Sequence, residues 1–520
     1  MTLSFLRTKL AVGAVVTALT LTSLGYTPSA QAQSAEDIRA NAEAVLEAFN
    51  VPGIAVVAVK DGEVILAEGF GVRDIASGKA VNADTLFGIA SNTKAFTSAA
   101  IATLVEQGKL GWDDKVIEHI PEFRLADEDI TRQLTIRDLL SHRSGLGLGA
   151  GDLMIWPNTD KTIDDLFAGL AHVPVQRSLR QQFAYNNLMF VTAGEIIARV
   201  SGMPYGDYIT QTFLQPLGMN NTRVGFSNIP AENNNFAVGT IEYEGGLHRF
   251  PLDYLEDFSS AGAMASSVNE LSKWLLTQLN NGVAPSGERL FSQGTQNTMW
   301  NVATPLPADS NPATQFRGVG LGWFLKDYHG VKHVSHSGGI LGMLSLTTLI
   351  PEHNFGMVVL SNQQAFGALT VVTEEALEDL LDLPDREWLT EMQAVHQEFM
   401  ASKAGFVLET PKQVRESLPL ANYAGTYNDP WYGDIELTLV DGELRMDFTH
   451  TELLKGSLEH YNGDTFVVRW DEPLLEADAF IDFKVSRDNS VQGARMEAVA
   501  DFTDFSFDFH NLNLRRKTEN

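Results

Sequence analysis

The texture of the chain changes near residue 403, and that change limits the folds open to it. Before it, strands and helices alternate. A helix is predicted over 34–49 from the capping-box pattern at Ser34, followed by a hairpin of 53–59 and 63–70 around Asp61 and Gly62. Helical periodicity covers 94–107, stops at Gly108 and resumes through 138–141, and strand patterns return at 334–336, 344–350 and 356–361. Strands at both ends of this block can pair in one sheet with the helices between them in sequence. After a helical segment at 386–403 and a loose connection through Pro411, only short strands remain: 435–440, 443–448, 465–469, 480–485 and 505–509, with turns at Asp441-Gly442 and Asp488-Asn489. The expected organisation is an α/β (α+β) domain over 33–390, with an antiparallel sheet flanked by helices plus a helical region. A helical linker at 391–418 and a small all-β sheet or barrel at 419–520 follow.

Composition narrows the partners. A formal net charge of −29 over 520 residues argues against nucleic acid and anionic membranes. The first 32 residues read as an export signal: Arg7 and Lys9 precede an apolar run over 10–24, and Ala30-Gln31-Ala32 offers a small-residue cleavage site. The run is short for a bilayer span, so no stable membrane span is expected after cleavage, and the destination is the periplasm or the exterior. The chain has no cysteine, which excludes disulfides, a thiolate nucleophile and cysteine-ligated metals. There is no His-Glu-x-x-His cluster, so neither metal nor cofactor is expected.

Three short motifs carry chemistry. Ser91 and Lys94 form a Ser-x-x-Lys where Phe87-Gly88-Ile89-Ala90, strand-like, gives way to a helix. One helical turn separates the two, so the amine lies on the same face as the hydroxyl and can take its proton. Ser91 at a helix N-terminus also sits beside free backbone N–H groups that can stabilise an oxyanion. Tyr185-Asn186-Asn187 precedes a helical stretch at 188–200, and His336-Ser337-Gly338, followed by Gly339, closes a strand. Burial and the helix field should lower the Lys94 pKa, and the Lys94 cation should make the Tyr185 phenol ionise more easily. Tyr185 is then a partner base or the acid that protonates the leaving group, and which of Lys94 and Tyr185 is the base stays open. The Asn187 amide can hold Lys94 and a substrate carbonyl, whereas Asn186 is expected to be exposed.

With Leu139-Leu140-Ser141-His142-Arg143-Ser144-Gly145 and Gly320-Leu321-Gly322-Trp323, these motifs make residues 51–361 resemble the serine β-lactamase and penicillin-recognising hydrolase superfamily. The similarity is to its class C-like branch, with D-stereospecific peptidases and esterases. It implies a β-lactamase-like fold and an acyl-enzyme on Ser91, with Lys94 and Tyr185 catalytic, and Asn187, His336, Ser337 and Gly338 contacting substrate. The backbone N–H groups of Ser91 and Gly339 would form the oxyanion hole. Implied substrates are D-amino-acid peptides or amides, small esters and β-lactams. His336 stands where class C β-lactamases more usually carry lysine; a neutral imidazole would hold a carboxylate weakly, which favours amidase, peptidase or esterase activity. Many relatives carry Pro-Gly before the tyrosine motif where this chain has Leu179-Arg180. The C-terminal block, through Tyr423-Ala424-Gly425-Thr426-Tyr427, resembles the small lipocalin-like β domain appended to many members. It is expected to gate the site, to mediate a homo-oligomer, or to be passive.

The plainer readings are these. The glycine run 145–151 lacks dinucleotide spacing and is expected to be a flexible loop at the rim, and His142 to buttress the fold. No Gly-x-Ser-x-Gly elbow is present, which rejects an α/β-hydrolase esterase. The alternative to catalysis is a silent penicillin-binding-like protein that holds peptidoglycan fragments or peptides.

Overall fold

The computed structural model describes residues 30–230, 232–250, 256–308 and 313–518. Strands from both ends of the first block do pair. The strands β1 (Gly53–Lys60), β2 (Glu63–Asp74), β3 (Lys79–Ala80), β4 (Thr304–Leu306), β5 (Arg317–Val319), β6 (Phe324–Tyr328), β7 (Val331–Ile340), β8 (Met343–Ile350) and β9 (Phe355–Ser361) form one sheet. Its order is β3-β2-β1-β9-β8-β7-β6-β5-β4, and every paired register is antiparallel. The central pair, β1 and β9, is buried on both faces, which explains its unbroken apolar runs. Alternation along β1 sends Ile54, Val56 and Ala58 into one core and Ala55, Val57 and Val59 into the other.

Helices cover both faces. Helix α1 (Ala30–Ala48) packs with α5 (Phe366–Leu381) on one side, and α6 (Trp388–Ala404) packs on α5. On the other lie α2 (Thr93–Glu106), α3 (Asn187–Ser201) and α4 (Val268–Leu279), where Phe96 stacks on Trp274 at 4.0 Å. Helix α1 already includes Ala30, ahead of the expected cap at Ser34, since the Ala and Gln residues there are good helix formers. The expected export segment otherwise lies outside the described residues, among which no helix is long and apolar enough to cross a membrane.

The C-terminal block is a closed eight-stranded barrel. Its strands are Gly425–Asp429, Gly433–Val440, Glu443–Phe448, Lys455–Asn462, Thr465–Trp470, Ala479–Val485, Val491–Ala498 and Leu514–Arg516. Asp441 and Gly442 both take positive φ, at 52° and 91°, as the predicted tight hairpin requires. Side chains fill the barrel: Phe448 packs on Tyr432, Trp470 and Phe509 with ring centroids 4.9–6.1 Å apart. The strand predicted at 505–509 does not form. Its alternating phenylalanines serve three surroundings: Phe505 faces Tyr185, Phe507 packs on Trp156, and Phe509 enters the barrel core.

Truncation of a buried aromatic in this packed barrel is expected to be costly. Phe448→Ala should lower unfolding free energy by about 3–5 kcal/mol in urea denaturation; a loss under about 1 kcal/mol would show the interior to be loosely packed.

Candidate active site

Ser91 sits in a 3-10 turn, Ala90–Asn92, that runs directly into α2. The turn is held from three sides. Ile89 N–H donates to Met264 O at 2.9 Å, Ser345 Oγ on β8 donates to Ile89 O at 2.6 Å, and Asn92 Nδ2 donates to Ser345 Oγ at 2.7 Å. Ala90 takes φ +48°, an uncommon conformation for a residue with a side chain, immediately before the nucleophile candidate.

Lys94, fully buried one turn later, donates to Ser91 Oγ at 2.9 Å, Asn187 Oδ1 at 2.8 Å and Ala261 O at 2.5 Å. Burial lowers its pKa to about 7, against a smaller opposing pull from Asp152. Tyr185 lines the same cleft as Ser91, with Lys94 Nζ 5.0 Å from the centre of its ring. Its phenol is shifted upward, the reverse of the expectation from the Lys94 cation, because desolvation of a phenolate dominates and the Asp152 charge adds to it. Tyr185 is therefore a proton donor at neutral pH.

The tyrosine motif rests on His142, whose ring stacks on Tyr185 at 4.3 Å and whose Nδ1 accepts from Asn186 N–H at 3.1 Å. Burial keeps His142 neutral, as this acceptor role needs. Asn186 is not exposed but fully buried: it caps α3 by accepting from Met189 N–H and donates to Ala150 O at 2.9 Å. The approach loop is tied by Asp138, a buried carboxylate paired with Arg143 at 2.7 Å and Arg180 at 2.6 Å. Arg180 takes φ +63°, so this ion pair supports a backbone shape that glycine would adopt freely.

Strand β7 supplies the opposite wall. It pairs with β6 only as far as Ser335 opposite Phe324, so from His336 onward its outer edge has no strand partner. His336, Ser337 and Gly339 all line the cleft with Ser91; His336 is almost fully buried there, shifted down to about 3 by burial, with Nδ1 against Ser337 O at 2.6 Å. Gly338 does not line the cleft. A Cβ there would lie 2.4 Å from Ile89 O and 2.9 Å from Ser91 N, so glycine lets the strand press against the Ser91 turn.

Sequence reasoning missed the residues that close the site. Asp152, fully buried in a 3-10 turn Asp152–Met154, accepts from Asn187 Nδ2 at 2.8 Å and from Ser506 Oγ of the barrel at 3.0 Å. The glycine run before it is a packed docking loop rather than a flexible rim: a Cβ on Gly149, which has φ +62°, would lie 2.6 Å from Phe505 O. Asp504, Phe505 and Ser506 line a cavity of roughly 350 Å³ that also holds Ser91, Tyr185 and Asn187. A lone acid after a glycine run has no periodic signal, and a contact across 350 residues leaves none in local sequence.

A mixed antiparallel-sheet and helix domain with a Ser-Lys-Tyr constellation at its edge defines a penicillin-recognising serine hydrolase scaffold. The chain belongs to the β-lactamase family, whose model matches residues 38–380; a domain family of unknown function matches 409–516. It is 31% identical to an unguisins hydrolase of Aspergillus violaceofuscus, over 81% of this chain and 80% of that one. It is 30% identical to protein flp of Staphylococcus aureus (strain MW2), over 61% of each. Among solved structures, the octameric penicillin-binding protein homologue from Pyrococcus abyssi superposes with TM-score 0.58 at 24% identity, over 88% of this chain and 97% of that one. A class C β-lactamase from Rhodobacter sphaeroides superposes with TM-score 0.53 at 21% identity, over 67% and 99%.

Adding one methyl group behind Ser91 tests this packing. Gly338→Ala is expected to cost about 1–3 kcal/mol of stability and to slow fluorophosphonate labelling of Ser91 about 100-fold. Labelling at the wild-type rate would mean that the close approach of β7 does not set the Ser91 geometry.

Proposed function

We propose that the chain is a metal-independent serine hydrolase that cleaves amide or ester bonds through an acyl-enzyme on Ser91. The observation that carries this reading is the buried Lys94 amine 2.9 Å from Ser91 Oγ, with Tyr185 on the wall of the same cleft. Lys94, neutral in a substantial fraction near pH 7, takes the Ser91 proton as Oγ bonds to the substrate carbonyl carbon. The oxyanion so formed is held by the N–H groups of Ser91 and Gly339, each worth about 3–4 kcal/mol to the transition state. Collapse breaks the bond to the leaving amine or alcohol, which takes a proton through Tyr185, itself refilled from Lys94. In the second half a water gives its proton to the same pair and bonds to the acyl carbon, the bond from that carbon to Ser91 Oγ breaks, and Oγ takes the proton back from the pair.

The cleft favours uncharged acyl groups. Its walls are largely apolar, with Phe183, Phe324, Phe505 and Trp156; no Lys or Arg lines it among the described residues, and the one carboxyl on the wall, Asp504, is shifted upward by burial. Buried and neutral, His336 offers no cation for a substrate carboxylate. Amides, short peptides and esters without a carboxylate near the scissile bond therefore suit it better than penicillins, whose carboxylate would meet no counter-charge. Export to the periplasm or exterior belongs to the same proposal and rests on Arg7, Lys9 and the apolar run after them. Self-association through the barrel is a separate expectation that mass in solution tests.

Intact mass after treatment with a fluorophosphonate should show one adduct, lost in Ser91→Ala. In a panel of D-amino-acid amides, short-chain esters and a chromogenic cephalosporin, uncharged esters and amides should turn over faster than the cephalosporin. A folded protein that takes no adduct and turns over nothing in the panel would instead support the silent, ligand-holding reading.

A further inference from the structure

The Asn187 amide is held at both ends. Its Oδ1 accepts from Lys94 Nζ at 2.8 Å and its Nδ2 donates to Asp152 Oδ2 at 2.8 Å. An amide can turn over to exchange its oxygen and nitrogen, and the turned form would aim N–H groups at the lysine. The Asp152 carboxyl on the far side opposes that: burial raises its pKa to about 7, and in its ionised form Oδ2 can only accept, as it does from Asn187 Nδ2 and Ser506 Oγ. Nothing in the Ser-Lys-Tyr chemistry uses Asp152 directly, yet it is fully buried and its Oδ1 has no hydrogen-bond partner. Burying a carboxyl so incompletely partnered is costly, and its position must supply something in return.

Asp152 is held from the barrel. Ser506 Oγ donates to the same Oδ2 at 3.0 Å, and Asp508, also fully buried, accepts from Gly151 N–H at 2.7 Å and Leu153 N–H at 3.3 Å, the two neighbours of Asp152. Asn511 Nδ2 fixes Asp508 in turn at 3.1 Å. The segment that carries these groups is the one whose strand pattern was not realised as a strand.

We propose that Asp152 is a positioning residue for Lys94, acting through the Asn187 amide, and that the C-terminal barrel holds it in that role through Ser506 and Asp508. The inference rests on the reading of Lys94 as the base for Ser91. The barrel is then part of the catalytic apparatus, and the two domains share one polar chain from Ser506 through Asp152 and Asn187 to Lys94.

The charges around this chain set the direction of the test. Lys94 faces Tyr185, His142 and His336, all neutral near pH 7, and Asp152; from the barrel Asp152 faces Asp504 and Asp508. Asp152 opposes the downward shift that burial imposes on Lys94. Removing its charge must lower the lysine midpoint further, so more of Lys94 is neutral at a given pH while its orientation is less well fixed.

The test follows the Lys94 ¹³Cε resonance through a pH titration of the full-length protein labelled with ¹³C-lysine, the signal being assigned with Lys94→Arg. In Asp152→Asn the midpoint is expected to move to lower pH. Turnover of p-nitrophenyl acetate should fall about tenfold in kcat with little change in KM, as expected when a group that orients the base is lost. Ser506→Ala removes a donor that favours the Asp152 charge, so it should move the midpoint the same way, with a loss in kcat of about threefold. An unchanged Lys94 midpoint in Asp152→Asn overturns the proposal; an unchanged midpoint and rate in Ser506→Ala overturns the barrel's part in it. Should Asp152→Asn not fold, Ser506→Ala decides both parts by the same readout. The titration needs no turnover, so a wild type without a phosphonate adduct would sink the Ser91 reading separately.

Discussion

The site depends on one buried amine. Lys94 has been taken out of water and given three oxygen acceptors, on Ser91, Asn187 and the Ala261 carbonyl. Desolvation weakens its hold on the proton and the pull of Asp152 keeps that loss from running further, which leaves a group that can be base and acid in turn near neutral pH. Every neighbouring device serves that amine or the serine beside it. Helix α2 fixes the spacing of the two, Asn187 at the start of α3 orients the amine, and the short helix Ser259–Gly262 supplies the third acceptor.

The fold explains why these groups can be placed so closely. Strand β7 loses its β6 partner at Ser335 and presents an open edge, against which the Ser91 turn is pressed with glycine at position 338. Across the cleft, the barrel closes the wall with Phe505 and Ser506. The interface that brings it there uses glycines where backbones meet: Gly149 lies against Phe505, and a Cβ on Gly169 would come within 2.6 Å of Trp431 O. A polar contact, His450 Nδ1 to Asp160 Oδ1 at 2.8 Å, lies at its edge.

Much of this was legible in the sequence because it is local. The central strands announce themselves as apolar runs, the hairpins as Asp-Gly turns, and Ser91 with Lys94 as two residues one helical turn apart. What was not legible depends on long-range burial. Asn186 reads as a polar residue before a helix, and only the packing of α3 makes it a buried cap. Tyr185 beside a cation suggests easier ionisation, and only its burial reverses the sign. The alternating phenylalanines at 505, 507 and 509 imitate a strand because three separate environments each demand an aromatic. Asp152 has no pattern at all, and the strand-like alternation of the barrel segment that holds it says nothing of that role, since its meaning lies in a contact between distant parts of the chain.

The central claim is that Lys94 works as a base whose proton is held loosely by burial. The rate at which Ser91 takes up a fluorophosphonate, followed by intact mass from pH 5 to 10, measures it most directly. Reactivity requires the unprotonated amine, so the rate should rise with pH through a single midpoint at about 7 and then level off. A rate that is flat across the range, or one that rises only near the ordinary lysine pKa of about 10.4, would contradict the account.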